Sequence, residues 1–207
     1  MISCIVILDK HWKQQFRLIE SVLKGTCMPD EWIFVTDPLH TDFLSKKLEQ
    51  YPLAYTVIEE ETWNEGKALN QGIERAAHSF VWMPDIRDEV HERMLELMKE
   101  EASHADLVIV SHRPVEESEN WDQSEASLDI KLDKTIVSKK ESMKLLIELD
   151  RIFSINWNKL VKKELLQQQP FPEGVSEPEE WIAHELLHRA AKAVWIKNKL
   201  YFYLIEP

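Results

Sequence analysis

A chain of 207 residues with 44% apolar and 30% charged residues has the make-up of a folded domain with a sizeable core. Its net charge of -12 argues against a broad electrostatic grip on nucleic acid, and no stretch approaches the roughly 20 uninterrupted apolar residues of a membrane helix. Two cysteines, Cys4 and Cys27, give no disulfide framework, and the N-terminus lacks a basic region leading into an apolar one, so a reducing, cytoplasmic setting is expected.

Ile2–Leu8 reads as a buried strand, followed by a helical face carrying Trp12, Phe16, Ile19 and Leu23 that Gly25 closes. Glu31–Val35 is a second strand, residues 41–50 a helix, and Tyr55–Ile58 a third strand. A helix over 66–78 presents Ala68, Leu69, Gly72, Ile73 and Ala76 as a small stripe suited to a sheet. Phe80–Met83 is the fourth strand, 89–102 a helix, and Leu107–Val110 the fifth strand. Strands alternating with helices predict an α/β fold, a mostly parallel sheet with helices on both faces. Ligands then gather at the carboxyl ends of the strands.

The second half differs. Residues 112–130 are polar and without period, with an acidic cluster through Glu116, Glu117, Glu119, Asp122 and Glu125, and read as a long loop. Helices are expected near 139–149, 156–168 and 177–192, then two apolar runs, Ala193–Ile196 and Leu200–Leu204. With no repeat and no linker, the expectation is one domain over 1–207, a nucleotide-binding lobe to about 111 and a helical acceptor lobe over 112–207.

Asn64-Glu65-Gly66-Lys67-Ala68-Leu69-Asn70-Gln71-Gly72 is the most informative segment. Asn64 and Gly66 form a turn that opens a helix, where backbone can approach a ligand, and a helix N-terminus with a lysine attracts anions. Asp85 follows the next strand, at a carboxyl end.

These segments, in this order, resemble the inverting, family-two-like GT-A glycosyltransferases that build bacterial polysaccharides. Ser3–Ile7 is similar to that family's first strand, and Glu31–Asp37 to its second. Asn64–Gly72 resembles its N-x-G-K-x-x-N-x-G segment, and Phe80–Asp88 its strand plus D-x-D. Trp157–Leu160, Phe171–Gly174, Glu179-Glu180 and Leu200–Tyr203 resemble its second-lobe pattern. The resemblance implies a Rossmann-like GT-A fold and transfer of a sugar from a nucleotide donor, most commonly a UDP-sugar, with inversion. A glycan, teichoic acid-type or lipid-linked chain would be the acceptor, and peripheral attachment to a membrane stays open. It also implies site roles. Ile7, Asp9, Asp37, Asn64, Gly66, Lys67, Asn70, Asp85 and Arg87 fall on the donor side, with Asp37 at the nucleoside and Lys67 at the diphosphate. Glu180 or Glu179 would be the general base, and Asp85 with Asp88 would hold Mn2+ or Mg2+.

The chain departs from that pattern in places. The proline and asparagine that usually follow the first strand are Ile7 and Lys10. D-x-D has become Asp85-Ile86-Arg87-Asp88, which puts an arginine on a metal-binding carboxylate. Arginine cannot ligate a cation but can pair with phosphate. Three readings follow: Asp88 takes the metal, Arg87 replaces it, or the site is a degenerate one that binds without turnover. Asp88 could equally cap the next helix. Ser176-Glu177-Pro178-Glu179 reads as a capping box that occupies Glu179 and leaves Glu180 as the freer carboxylate.

His184-Glu185-Leu186-Leu187-His188 also matches the H-E-x-x-H pattern of zinc hydrolases, with Arg189 after it and Glu206 as a third-ligand candidate. His104 and His112 flank the fifth strand, Lys10 and His11 follow the first, and Trp121 could stack on an acceptor sugar or pin down its loop.

Overall fold

The computed structural model describes residues 1–8, 16–116, 130–148 and 151–205. Asp9, Lys10, His11, Trp12, Trp121, Glu206 and the acidic residues Glu117, Glu119, Asp122 and Glu125 lie outside the described residues.

One nine-stranded sheet runs through the fold. Strands β1 (Ile2–Leu8), β2 (Glu31–Thr36), β3 (Tyr55–Glu59) and β4 (Phe80–Trp82) are parallel, in the order β3-β2-β1-β4. Parallel neighbours need crossovers, and α1 (Arg17–Leu23), α2 (Thr41–Leu48) and α3 (Glu65–Arg75) lie in them. Next come β5 (Glu89–Val90), α4 (Met94–Ala102), β6 (Leu107–Glu116), β7 (Lys134–Val137), α5 (Lys139–Glu148) and α6 (Arg151–Ser154). The chain continues through β8 (Lys159–Lys162), α7 (Lys163–Gln168), α8 (Pro178–Arg189) and β9 (Ala193–Ile205). From β4 the sheet extends β8-β6-β9-β5, with β7 also on β9. Strand β8 is antiparallel to both its neighbours, while β6 and β9 pair in parallel along a bulged register.

Alternation along the strands builds two cores. Cys4 and Val6 face a layer formed with Leu18, Ile19, Leu44, Leu48, Leu95 and Met98. Ile5, Ile33 and Val35 face the opposite layer, with Leu69, Ile73, Leu165, Leu186 and Leu187. Successive strand side chains point to opposite faces, so a strand apolar at every position is buried on both. The α/β/α layering expected from the sequence is present.

Several local expectations change. The helix expected over 156–168 is strand β8 and then helix α7. Leu160 joins the first core and Val161 the second, which only a strand between β4 and β6 achieves. The helix expected from 89 begins at Met94, because Glu89 and Val90 pair with Phe202 and Tyr201. Strand β6 runs on to Glu116, into the expected loop. The second half is thus not only helical, since it adds β7, β8 and β9 to the common sheet. Among the described residues no helix is long and apolar enough to cross a membrane.

Candidate functional site

The carboxyl edge of the parallel strands carries the expected donor-side residues. Asp37 follows β2 and closes a local turn. Its Oδ1 accepts from the Leu39 N–H at 2.8 Å, and its Oδ2 meets His40 Nδ1 at 2.8 Å. Ile7, next to last in β1, packs against the second core.

The Asn64–Gly72 segment is used heavily by the fold. Asn64 caps α3, its Oδ1 accepting from the Lys67 N–H at 2.9 Å. Asn70 reads both backbone groups of Phe171, donating from Nδ2 to the carbonyl and accepting the N–H on Oδ1, each at 2.9 Å. A Cβ on Gly66 would stand 2.1 Å from the Pro172 carbonyl oxygen, so this glycine lets the 171–172 backbone approach the helix. The close approach inferred at Gly66 is therefore made by the chain itself. Lys67 extends to Glu60, Nζ to Oε1 at 2.8 Å, and that hydrogen bond raises its pKa. Glu60 was not evident in the sequence. Burial pushes its pKa up, but bonds from Lys67 and Thr62 outweigh this and hold it below the ordinary value.

After β4 the chain turns through Asp85-Ile86-Arg87-Asp88, with Ile86 buried as the anchor. Asp85 Oδ1 accepts from the Arg87 N–H at 2.9 Å and Nε at 3.0 Å, while Oδ2 accepts from Nη2 at 2.7 Å. Asp88 points inward. Its Oδ2 accepts from the Tyr201 hydroxyl at 2.7 Å and its Oδ1 from the Leu204 N–H at 2.8 Å. That hydroxyl also accepts from the Asp85 N–H at 3.2 Å, so strand β9 holds the whole turn. Asp88 caps no helix, because α4 begins at Met94 with Arg93 as its N-cap.

Burial, reinforced by Asp85, pushes the Asp88 carboxyl from its ordinary 3.8 up to about 8. The fold keeps this proton until about pH 8, whereas the unfolded chain releases it near 3.8. The group's contribution to stability is therefore present at low pH and lost as pH rises through that window. Asp88→Asn mimics the protonated acid. Its melting temperature should gain on the parent protein between about pH 5 and about pH 9. A difference in thermal melts that does not vary with pH would contradict a buried, protonated Asp88.

A divalent cation needs several oxygen ligands, usually carboxylates and water. Asp85 is bound by a guanidinium and Asp88 is buried with both oxygens bonded. Among the described residues no group of three or more His, Cys, Asp or Glu side chains is arranged to hold a metal ion. The residues here do not fit a two-carboxylate metal centre.

Asp85, Arg87 and Asp88 line a cavity of about 220 Å³ that also takes in His112, Trp157, Tyr203, Glu177, Glu179 and Glu180. Trp157 forms its aromatic wall, stacking on Tyr201 at 4.5 Å with His112 edge-on at 4.8 Å and Tyr203 at 5.6 Å. The acid side comes from the start of α8. No capping box forms there: the N-cap is Glu177, in the left-handed region at φ 50° and ψ 57°, with no side-chain cap bond and Pro178 just inside the helix. Such backbone strain costs about 1–2 kcal/mol and tends to be kept where a site requires it. Glu179 is half-buried, its Oε2 enclosed without a hydrogen-bond partner. Burial raises its pKa, and the charges of Glu177 and Glu180 add to the effect. Glu180 is exposed at the cavity rim. Behind them Lys159 is buried, donating to the carbonyls of Ile152 and Ile155 and to Asn158 Oδ1, and burial pushes it down to about 7.

The cavity thus brings Asp85, Arg87, Asp88, Glu179 and Glu180 together. Asp37, Asn64, Gly66, Lys67 and Asn70 do not line it. In the sequence Tyr201, Trp157 and Tyr203 stand out only as members of apolar or aromatic segments. The alternation along Leu200–Tyr203 was the available signal for which rings face the site. His184 and His188 are both exposed on α8, and Glu185 pairs with Arg189 at 3.2 Å. Among the described residues no third zinc ligand joins them.

No curated protein sequence matches the chain. Among solved structures, S. aureus TarS 1-349 in complex with UDP-GlcNAc superposes with a TM-score of 0.76 at 19% identity, covering 100% of this chain and 59% of that one. The mannosyltransferase PcManGT from Pyrobaculum calidifontis, in complex with GDP-Man and Mn2+, gives 0.69 at 15% identity over 98% of this chain and 56% of that one. The chain therefore spans less than two thirds of these structures' length, and at such identity they show a shared GT-A fold. The sequence model for glycosyl transferase family 2 matches residues 12–169. That match covers well over half of the chain, which belongs to glycosyl transferase family 2.

Proposed function

We propose that this chain transfers a sugar from a nucleoside-diphosphate donor to a hydroxyl of a glycan, teichoic acid-type or lipid-linked acceptor, inverting the anomeric carbon. The observation that carries this reading is the single cavity joining Asp85 and Arg87, at the strand ends, to Glu179 and Glu180 on α8. In it the acceptor oxygen bonds to the anomeric carbon as the bond to the diphosphate oxygen breaks, and that electron pair leaves on the nucleoside diphosphate. The acceptor's proton passes to a carboxylate, for which exposed Glu180 is the better placed. Glu179, beneath it, keeps a proton more readily because it is buried. Trp157, His112 and Tyr203 offer ring faces and edges to a pyranose. Asp37 and Lys67, expected at the nucleoside and the diphosphate, lie outside this cavity, and Lys67 is paired with Glu60. Neighbours holding UDP-GlcNAc and GDP-Man support a nucleotide-sugar donor.

Incubation with a panel of UDP- and GDP-sugars, reading nucleotide release with and without glycan or teichoic acid acceptors, tests this. Release that an acceptor accelerates is the expected result. A second reading, donor binding without turnover, is favoured by the Arg87 replacement at the expected metal position. Nucleotide-sugar binding with no release under any condition would select it.

A further inference from the structure

We infer that the acceptor is an uncharged glycan that leaves the cavity along the outer face of α8, where Trp181 stacks on one of its sugar rings. This rests on the sugar-transfer reading above and names the class of its acceptor. Trp181 is 61% exposed, and among the described residues it is the one exposed Phe, Tyr or Trp ring. Packing does not call for it there, because Ile182, Ala183, Leu186 and Leu187 supply the face that α8 buries. Side chains on a helix lean toward its N-terminus, so this ring lies over the turn that begins with Glu177 and Pro178. Glu177 lines the cavity, as does Glu180 beside Trp181. The ring therefore stands by the cavity mouth, on the side that carries Glu180. His184 and His188, one and two turns further along, extend the same exposed face. His184 Nε2 is 3.6 Å from Glu185 Oε1, too far for a hydrogen bond, and imidazole nitrogens suit sugar hydroxyls. From Glu180 to His188 the helix rises about 12 Å.

Volume and charge favour this path and this class of acceptor. At about 220 Å³ the cavity is smaller than the roughly 300–1,000 Å³ of sites that enclose a drug-sized ligand. A donor sugar then leaves little room beyond the acceptor's reacting ring, and its other rings lie outside. Glu177, Glu179 and Glu180 face that exit, and Arg87 is already paired with Asp85. A chain of phosphates would meet like charge there, whereas an uncharged glycan would not. An indole asks for no charge in its partner, since the apolar face of a pyranose packs on it by burial.

The test measures nucleotide release over the donor panel, with malto- and chito-oligosaccharides of increasing length and a glycerol phosphate polymer as acceptors. The uncharged oligosaccharides should be the better acceptors, with KM falling as the chain becomes long enough to reach Trp181. Trp181→Ala should raise the acceptor KM about three- to tenfold and leave kcat and the donor KM unchanged, with Trp181→Phe recovering part of the loss. Because the side chain is exposed, the melting temperature should stay that of the parent protein. Acrylamide quenching of tryptophan fluorescence adds a readout without turnover, in which the oligosaccharide should protect a component that Trp181→Phe lacks. An unchanged acceptor KM in Trp181→Ala, preference for the phosphate polymer, or no protection would each overturn the inference and leave the sugar-transfer reading intact. No release with any donor and acceptor would sink that reading, and the quenching result would still decide the glycan site.

Discussion

Glu180→Gln is expected to lower nucleotide release by about 10²- to 10⁴-fold, the usual range for loss of a positioned general base. Nucleotide affinity should hardly change, because the substitution preserves shape and acts on the acceptor's proton. Glu180 stands exposed on the cavity rim in the first turn of α8, where incoming acceptor can reach it. Glu179→Gln should cost less. Its carboxyl is half-buried, with burial favouring the protonated form that Gln imitates. Steady-state rates for the two variants separate the roles. A larger loss in Glu179→Gln than in Glu180→Gln would reverse this assignment.

The second large effect is on stability. Alanine is normally the better helix former by about 1 kcal/mol, so Gly66→Ala in an open helix would be stabilising. Here the added Cβ would lie 2.1 Å from the Pro172 oxygen and 2.9 Å from its carbonyl carbon. Both are backbone atoms, and Asn70 fixes that backbone through its paired bonds to Phe171. Steric conflict wins, and Gly66→Ala should lose about 3 kcal/mol in urea unfolding, at the upper end of ordinary overpacking. Gly72→Ala should also destabilise, since its Cβ would lie 2.4 Å from Ile5 Cγ2, and Ile5 is buried and β-branched with little room to turn. A stabilised Gly66→Ala would mean that α3 and the 171–172 segment are not packed as described.

These two glycines show where sequence reading succeeds and where it stops. Buried strands such as Ile2–Leu8 and the apolar stripe of α3 announce themselves by period, because each element buries a regular face. Strand β8 does not. Four residues run straight into α7 with no glycine or proline between, and only the gap between β4 and β6 makes them a strand. The site was half legible for a related reason. Asp85, Arg87, Glu179 and Glu180 were evident as residue types in order, and they meet in one cavity. Their partners were not evident. Nothing local shows that Tyr201, 113 residues from Asp88, donates to it, or that Glu60 occupies Lys67. The capping box at Ser176–Glu179 matched a pattern that the left-handed backbone of Glu177 then excluded. Asn64, Gly66 and Asn70 read as ligand-facing, yet they have capping and packing partners within the chain.

Donor and acceptor are proposed to meet in the cavity between Arg87 and Glu180. A crystal structure of the chain soaked with a nucleotide sugar that it binds tests this most directly. The nucleotide sugar is expected in this cavity, with the sugar toward Trp157 and its anomeric carbon open to the Glu180 side. A nucleotide sugar bound elsewhere, with this cavity left empty, would contradict it.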